Sequence, residues 1–227
     1  MPTRDQTQYW IFDLDNTLYP RECNLFAQID LLISQYMVDV TGLEYSAARR
    51  LQKDYYRDHG TTLNGLMLHY GVDPDHYLNT VHEIDYSDVA PDPELVGLID
   101  ELPGRKYIFT NADNGHARKV LARLGGDAAM FDGLFDIRDS QFSPKPIRAA
   151  YDAFVDKYAI APEQAVMFDD LDKNLVVPHE MGMETVQVVA SRDWAHHQVD
   201  DWELDRDHKA PHIHNLTENL KQFLASL

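Results

Sequence analysis

Cysteine is nearly absent from the chain. Cys23 is the only one in 227 residues, so no disulfide can close within it. That usage suits a reducing compartment, and a cytoplasmic location is expected. Positive charge is also scarce, with 20 Lys and Arg against 38 Asp and Glu and a formal charge of −18. Such a surface repels nucleic-acid polymers and anionic membranes. It does not exclude a small phosphate ester, because a bound metal sets the local sign of the field. No apolar run is long enough to span a bilayer. The opening residues 1–8 hold no apolar stretch of the kind a signal peptide carries. Internal repeats and low-complexity linkers are missing too. What remains is long enough to bury a sizeable core, as one large domain or a domain with an insertion. Helix and strand signals alternate, which argues an α/β fold.

The most informative stretch is Trp10-Ile11-Phe12-Asp13-Leu14-Asp15-Asn16-Thr17-Leu18. The apolar run Tyr9 to Phe12 reads as a buried strand. It stops at two carboxylates spaced i, i+2, which share a face if the chain stays extended. They lie just past the strand's carboxyl end, where open α/β sheets bind ligands. Two carboxylates held together need a cation, or one must carry a proton. With Mg²⁺ present, one can bind metal or attack while the other handles protons.

From Leu25 the period becomes helical. Leu25, Ile29, Leu32, Ile33, Tyr36, Met37 and Val40 make one stripe, stopped by Gly42. Ser46 is placed to cap a second helix running to about His59, where Gly60 breaks it. Thr61 or Thr62 starts a third, and Asp73-Pro74 opens a fourth. Residues 19–90 therefore read as a helical insertion directly after the first strand, between core segments 1–18 and 91–227. Within it, Lys53 to Leu66 is rich in aromatics and hydroxyls. Tyr56 is suited to stacking on a flat base and Thr61 to bonding its edge; as plain structure they are a bundle residue and a helix cap. Asn24 and Phe26 either face the substrate or serve as helix cap and core.

A second buried strand, Lys106 to Phe109, ends in Thr110-Asn111-Ala112. A hydroxyl and backbone N–H groups before a helix suit phosphate oxygens. On that helix His116, Arg118, Lys119 and Arg123 read as a solvated face. Ser143-Pro144-Lys145-Pro146 locks a lysine on a stiffened turn. The strand Ala165 to Phe168 ends in Asp169-Asp170, a hard oxygen site suited to Mg²⁺. Asn174 lies one turn further on and is placed to orient it. Glu184 to Val189 is a further strand. Beyond Ala190 the signal thins. Trp194, His196, His197, His208, His212 and His214 lack zinc-ligand spacing. They read as a surface loop, a short strand at His212 to His214, and a closing helix from Thr217 to Leu227.

These strand-end features, in this order, resemble the four motifs of the haloacid dehalogenase (HAD) superfamily. Asp13-x-Asp15-x-Thr17 matches the first, Thr110 the second, Lys145-Pro146 the third and Asp169/Asp170 the fourth. The string Phe12 to Pro20 and the segment Lys53 to Leu66 resemble the pyrimidine 5′-nucleotidase branch. The resemblance implies a Rossmann-like, doubly wound parallel sheet with a helical cap that selects the substrate. It implies Asp13 as nucleophile, Asp15 as general acid/base and Lys145 as a charge offset. Thr110, Asn111 and Lys145 would bind phosphate, and Asp13, Asp15, Asp169 and Asp170 would hold Mg²⁺, with Asp170 the first choice for direct contact. The expected activity is a phosphomonoesterase acting through an aspartyl-phosphate on UMP or CMP, or alternatively on small sugar- or glycolate-type phosphates. A metal-independent haloacid dehalogenase would typically lack Asp15 and the paired acids. A phospho-receiver would be shorter and have no helical insertion. A non-catalytic binding protein would be free to lose Asp13 or Lys145.

Overall fold

The computed structural model describes residues 3–190 and 210–227. Strand β1 is Tyr9–Phe12. Its side chains alternate between two apolar clusters, Trp10 and Phe12 on one face and Ile11 on the other. All three are fully buried. A parallel strand covered on both faces must be apolar at every position, which is why it reads as an unbroken run.

The chain then enters α1 (Leu25–Thr41), α2 (Tyr45–His59), α3 (Thr62–Tyr70) and α4 (Pro74–Val81). Gly42, Gly60 and Gly71 end the first three, each at positive φ. Thr61 caps α3 by accepting from the Asn64 amide, and Asp73 caps α4 with Pro74 in the first turn. Helix α2 begins on Glu44 with no side-chain cap, so Ser46 lies inside the helix and not at its start. The four helices bury their own cluster, including Met37, Ala48, Leu66 and Val81. Ile137 and Phe142 from the sheet side join it. At the other end Tyr19, Leu25 and Val89 pack into the sheet's cluster. The insertion is thus held to the sheet domain at both margins.

The chain continues through α5 (Pro93–Asp100), β2 (Arg105–Phe109), α6 (Asn114–Leu124) and β3 (Gly133–Phe135). It goes on through α7 (Arg148–Tyr158), β4 (Ala165–Asp169), α8 (Val176–Met181) and β5 (Glu184–Val188). It closes with β6 (Asn215–Thr217) and α9 (Leu220–Ala225). Among the described residues these strands form one parallel sheet in the order β3-β2-β1-β4-β5-β6. This is the expected doubly wound α/β architecture. The order reverses between β1 and β4, where Phe12 pairs with Phe168, and this is the crevice where such sheets bind ligands.

The C-terminal boundaries differ from the sequence reading. The last strand is Asn215–Thr217, in register with β5 from Val186, and not His212 to His214. Ile213 is buried against the α7 side of the sheet. His214 instead bonds Thr185. Thr217 therefore belongs to β6, and α9 starts later, capped by Asn219. Trp194, His196, His197 and His208 lie outside the described residues. No helix among those described is long and apolar enough to cross a membrane.

Candidate active site

The carboxyl ends of β1, β2 and β4 carry the polar side chains singled out in the sequence. The Asp13 amide still donates to the Phe168 carbonyl at 2.8 Å, one step past the last β1–β4 register pair. Its carboxylate therefore stands beside that of Asp169. Lys145 Nζ bridges them, at 2.8 Å from Asp13 Oδ1 and 2.6 Å from Asp169 Oδ2. Thr17 Oγ1 donates to Asp13 Oδ2 at 3.1 Å. Asp169 is wholly buried, and its Oδ1 accepts from the Leu171 amide and from Asn174 Nδ2. Asn174 thus orients the acid as expected. Asp170 Oδ2 accepts from Arg21 at 2.6 Å and from Asn16 Nδ2 at 3.4 Å.

Oxygens of Asp13, Asp169 and Asp170 all lie within 4.8 Å of one another. Among the described residues the three buried carboxylates face two cations, Lys145 and Arg21, and so outnumber the positive charges beside them. The titration of the cluster reflects this. Burial pushes the Asp13 carboxyl well up; Lys145 opposes this, while Asp169, Asp170 and Asp15 add to it. Burial likewise pushes Asp170 up to about 7, against Arg21 and with Asp169. Burial favours deprotonation of Lys145, but Asp13 and Asp169 outweigh it and hold its ammonium form.

Asp15 lies outside this carboxylate group. Its Oδ1 accepts from Tyr19 Oη at 2.5 Å and from His116 Nε2 at 2.7 Å, and it is not among the clustered carboxylates. Its metal role in the sequence reading therefore finds no side-chain counterpart in the cluster. Burial would raise its pKa, but the His116 charge and hydrogen bond, with the Tyr19 hydroxyl, hold it below the usual carboxylate value.

Thr110 is buried at the end of β2, and its Oγ1 accepts from the Ala112 amide. The Asn111 side chain takes up both backbone groups of Lys145: Nδ2 donates to its carbonyl at 3.0 Å and Oδ1 accepts from its amide at 2.8 Å. Asn111 is therefore a clamp on the lysine turn, a role not visible in the sequence.

A cavity of about 350 Å³ lies between the carboxyl ends of strands β1, β2 and β4 and the helical insertion. Asp13, Asp15, Thr110, Asn111, Lys145 and Asp170 line one side. Asn24, Tyr56 and Thr61 line the other, together with Arg21, Arg49 and Lys53. Tyr56 is engaged by the core: Lys173 Nζ donates to its hydroxyl at 2.7 Å and sits 4.5 Å from its ring centre. Asn24 has a left-handed backbone and makes no side-chain cap bond.

The sequence reading missed Arg21, Tyr19, His82, Tyr86 and Asp113, and it misplaced His116. His116 is 1% exposed, whereas Arg118, Lys119 and Arg123 are exposed as expected. The signal was present in the spacing. His116 falls with Ala117, Val120 and Leu124 on the buried stripe of α6, and Asp113 is that helix's cap.

The family model for haloacid dehalogenase-like hydrolases matches residues 10–175. Phosphate metabolism protein 8 of Saccharomyces cerevisiae is 28% identical over 137 residues, 55% of this chain and 42% of that protein. Enolase-phosphatase E1 of Shewanella woodyi is 31% identical over 107 residues, 44% of this chain and 46% of that protein. The matches thus span less than half the length of these relatives. Among solved structures, YfnB of Bacillus subtilis, described as a HAD-hydrolase with magnesium bound, superposes with a TM-score of 0.59. It shares 16% identity over 97% of this chain and 98% of that one, and so supports the fold.

Proposed function

This chain belongs to the haloacid dehalogenase-like hydrolases, and we propose that within the family it is a Mg²⁺-dependent phosphomonoesterase acting through an aspartyl-phosphate on Asp13. The observation that carries this reading is the separation of the two motif carboxylates. Asp13 sits with Lys145 in the acid cluster, while Asp15 is held apart by its own donors. Two carboxylates in contrasting surroundings are suited to different tasks, one to attack and one to proton transfer.

On this reading Asp15, ionised in the resting site, takes up a proton as the anionic phosphate enters beside it; Asp13 then attacks phosphorus, the bond to the leaving oxygen breaks, and Asp15 gives that oxygen the proton. Water then attacks phosphorus, Asp15 takes a proton from it, and Asp13 is released with inorganic phosphate. Lys145, Thr110 and the Asn111 backbone amide offset charge on the phosphoryl oxygens. The donor set fits Mg²⁺: Asp13, Asp169 and Asp170 offer clustered hard oxygens in a site short of positive charge. When bound, the ion supplies that charge to the phosphoryl group.

We assign residues 19–90 as a cap over core segments 1–18 and 91–227, and UMP and CMP as substrates in the cytoplasm. Support comes from the Leu18-Tyr19-Pro20 extension and from Asn24, Tyr56 and Thr61 on the cavity wall. With Lys173 against one face of Tyr56, a pyrimidine would use the other face. Base–aromatic stacking contributes ~1–3 kcal/mol in single-strand sites. A second reading is small sugar- or glycolate-type phosphates; Arg21, Arg49 and Lys53 on the same wall suit the carboxylate of a glycolate-type leaving group. The name of the enolase-phosphatase relative agrees with phosphate-ester chemistry under either reading.

The test is kcat/KM for UMP and CMP against AMP, a sugar phosphate and phosphoglycolate. A UMP-to-AMP ratio near or below one removes the pyrimidine assignment. Undiminished turnover by Asp13→Asn removes the mechanism.

A further inference from the structure

The general acid/base of the proposed reaction is gripped by a buried cluster from two separate parts of the chain. From the core, His116 on α6 donates through Nε2 to Asp15 Oδ1. From the segment returning from the insertion come His82, which ends α4, and Tyr86 four residues later. The Tyr86 hydroxyl lies 3.0 Å from His116 Nδ1 and 3.0 Å from the His82 carbonyl. The His82 ring stacks on the His116 ring at 4.5 Å and 22°. His82 Nδ1 in turn bonds Asp113 Oδ2, and Asp113 Oδ1 accepts the His116 amide. Arg123, from the same face of α6, donates to the carbonyls of Tyr86, Ser87 and Val89 and ties the return segment down.

Every polar atom of the His116 ring is thereby engaged. Nε2 serves Asp15, Nδ1 meets Tyr86, and one ring face is covered by His82. His116 and His82 are 1% and 6% exposed, so water does not supply these contacts. Asp15 Oδ1 accepts from both Tyr19 and His116, whereas Oδ2 takes no hydrogen bond from the described residues. Asp15 lines the cavity. Two donors on one oxygen fix the carboxyl plane and leave the other oxygen for the proton in flight.

We propose that His116 is a positioning residue for Asp15, held in place by Tyr86 and His82 of the return segment. This rests on the reading of Asp15 as general acid/base. The consequences differ between the two half-reactions. An aryl leaving group departs without a proton, so forming the aspartyl-phosphate from an aryl ester needs little of Asp15. An alkyl leaving oxygen needs its proton. Hydrolysis of the aspartyl-phosphate needs Asp15 as base whichever ester formed it. A loosened Asp15 should therefore slow alkyl esters at the first step and aryl esters at the second.

The experiment compares the full chain with Mg²⁺ as wild type, His116→Leu and His116→Gln, on p-nitrophenyl phosphate and an alkyl phosphate. Gln keeps an N–H donor near the Nε2 position, and Leu keeps volume without it. Expected for His116→Leu is a fall in kcat of roughly 10–100-fold; on the aryl ester KM should fall with it, so that kcat/KM holds, whereas on the alkyl ester kcat/KM should fall as well. The variant should show a burst of about one equivalent of p-nitrophenol per enzyme, and acid quenching should trap the phosphoryl-enzyme. His116→Gln should recover much of the rate. Should the Leu variant fail to fold, Tyr86→Phe removes one hydroxyl and keeps the ring; a smaller shift in the same direction is expected. No burst, no trapped phosphoryl-enzyme and equal losses of kcat/KM on both esters would overturn the inference, as would Gln no better than Leu. A wild type that turns over neither ester overturns the phosphatase reading and this inference together; a wild type that does, with unaltered variants, overturns the inference alone.

Discussion

Replacing Lys145 by methionine removes one of the two cations that, among the described residues, face the carboxylates of Asp13, Asp169 and Asp170. The side chain is 1% exposed, so water cannot take its place, and methionine fills a similar volume. Removing one partner of a buried pair costs about 3–5 kcal/mol. For a chain of this size each kcal/mol lowers Tm by about 2–4 °C, so a fall of ~6–20 °C is expected in EDTA. Proton uptake moderates the loss, because Asp170 is already pushed up to about 7 and a neutral acid relieves the excess negative charge. The variant should therefore be least destabilised near pH 6 and most near pH 8. Mg²⁺ should raise Tm more in the variant than in wild type, because the bound ion replaces charge that the variant lacks. Turnover should remain low in Mg²⁺, by about 10²–10³-fold, as for other losses of a charge-stabilising donor. Thermal unfolding followed by circular dichroism, in EDTA and in Mg²⁺, measures the first effects, and phosphate release the last. An unchanged Tm in EDTA, with equal Mg²⁺ shifts in the two proteins, would refute the charge argument.

Three further outcomes are expected. Asp113 is pushed up by burial, but His82 outweighs this and holds its carboxyl down at about 2. Its stabilising contribution is complete above the unfolded value of about 3.9 and is lost as pH falls through 2. Asp113→Asn should thus lower the urea midpoint at pH 5 and show a flatter decline from pH 4 to 2; parallel curves would count against it. Tyr56→Ala should lower kcat/KM for UMP while sparing p-nitrophenyl phosphate, and equal losses would return Tyr56 to a purely structural role. Asn111→Ala frees the backbone of Lys145 and should lower kcat by about 10-fold or more with small effect on KM; unchanged kcat would deny the clamp.

The strand-end chemistry was legible because it is local. An apolar run that stops at Asp13 or Asp169 marks both a strand and the end at which a ligand sits, and the two prolines around Lys145 mark a fixed turn. The partners of Asp15 were not legible, because they come from α6 and from the far margin of the insertion and meet only through tertiary packing. His116 was assigned to solvent by its neighbours, since Arg118, Lys119 and Arg123 are charged and exposed. Helical spacing with Val120 and Leu124 pointed the other way and was the better guide. Ser46 failed as a cap because capping preference is weak beside the packing of α2 through Ala48 and Tyr55. The final strand was displaced because its register follows β5, and nothing local to Asn215–Thr217 announces it. The strands' two-sided burial, by contrast, was written in the run Trp10-Ile11-Phe12 itself.

The pairing of Phe12 with Phe168 has a consequence for how this protein should fail on warming. Asp13 and Asp169 lie one residue past that pair, and the two phenylalanine rings stack at 4.8 Å. The spacing of the reactive carboxylates is therefore inherited from the middle of the sheet, between neighbours on both sides. Such strands open only with the whole domain, whereas margins and insertions open earlier and at lower cost. Hydrogen exchange at Asp13 and Phe168 should report global unfolding, with α1–α4 exchanging sooner. Moderate heat would then blur the choice of substrate and loosen the supports of Asp15 at the end of α4 before the sheet itself opens.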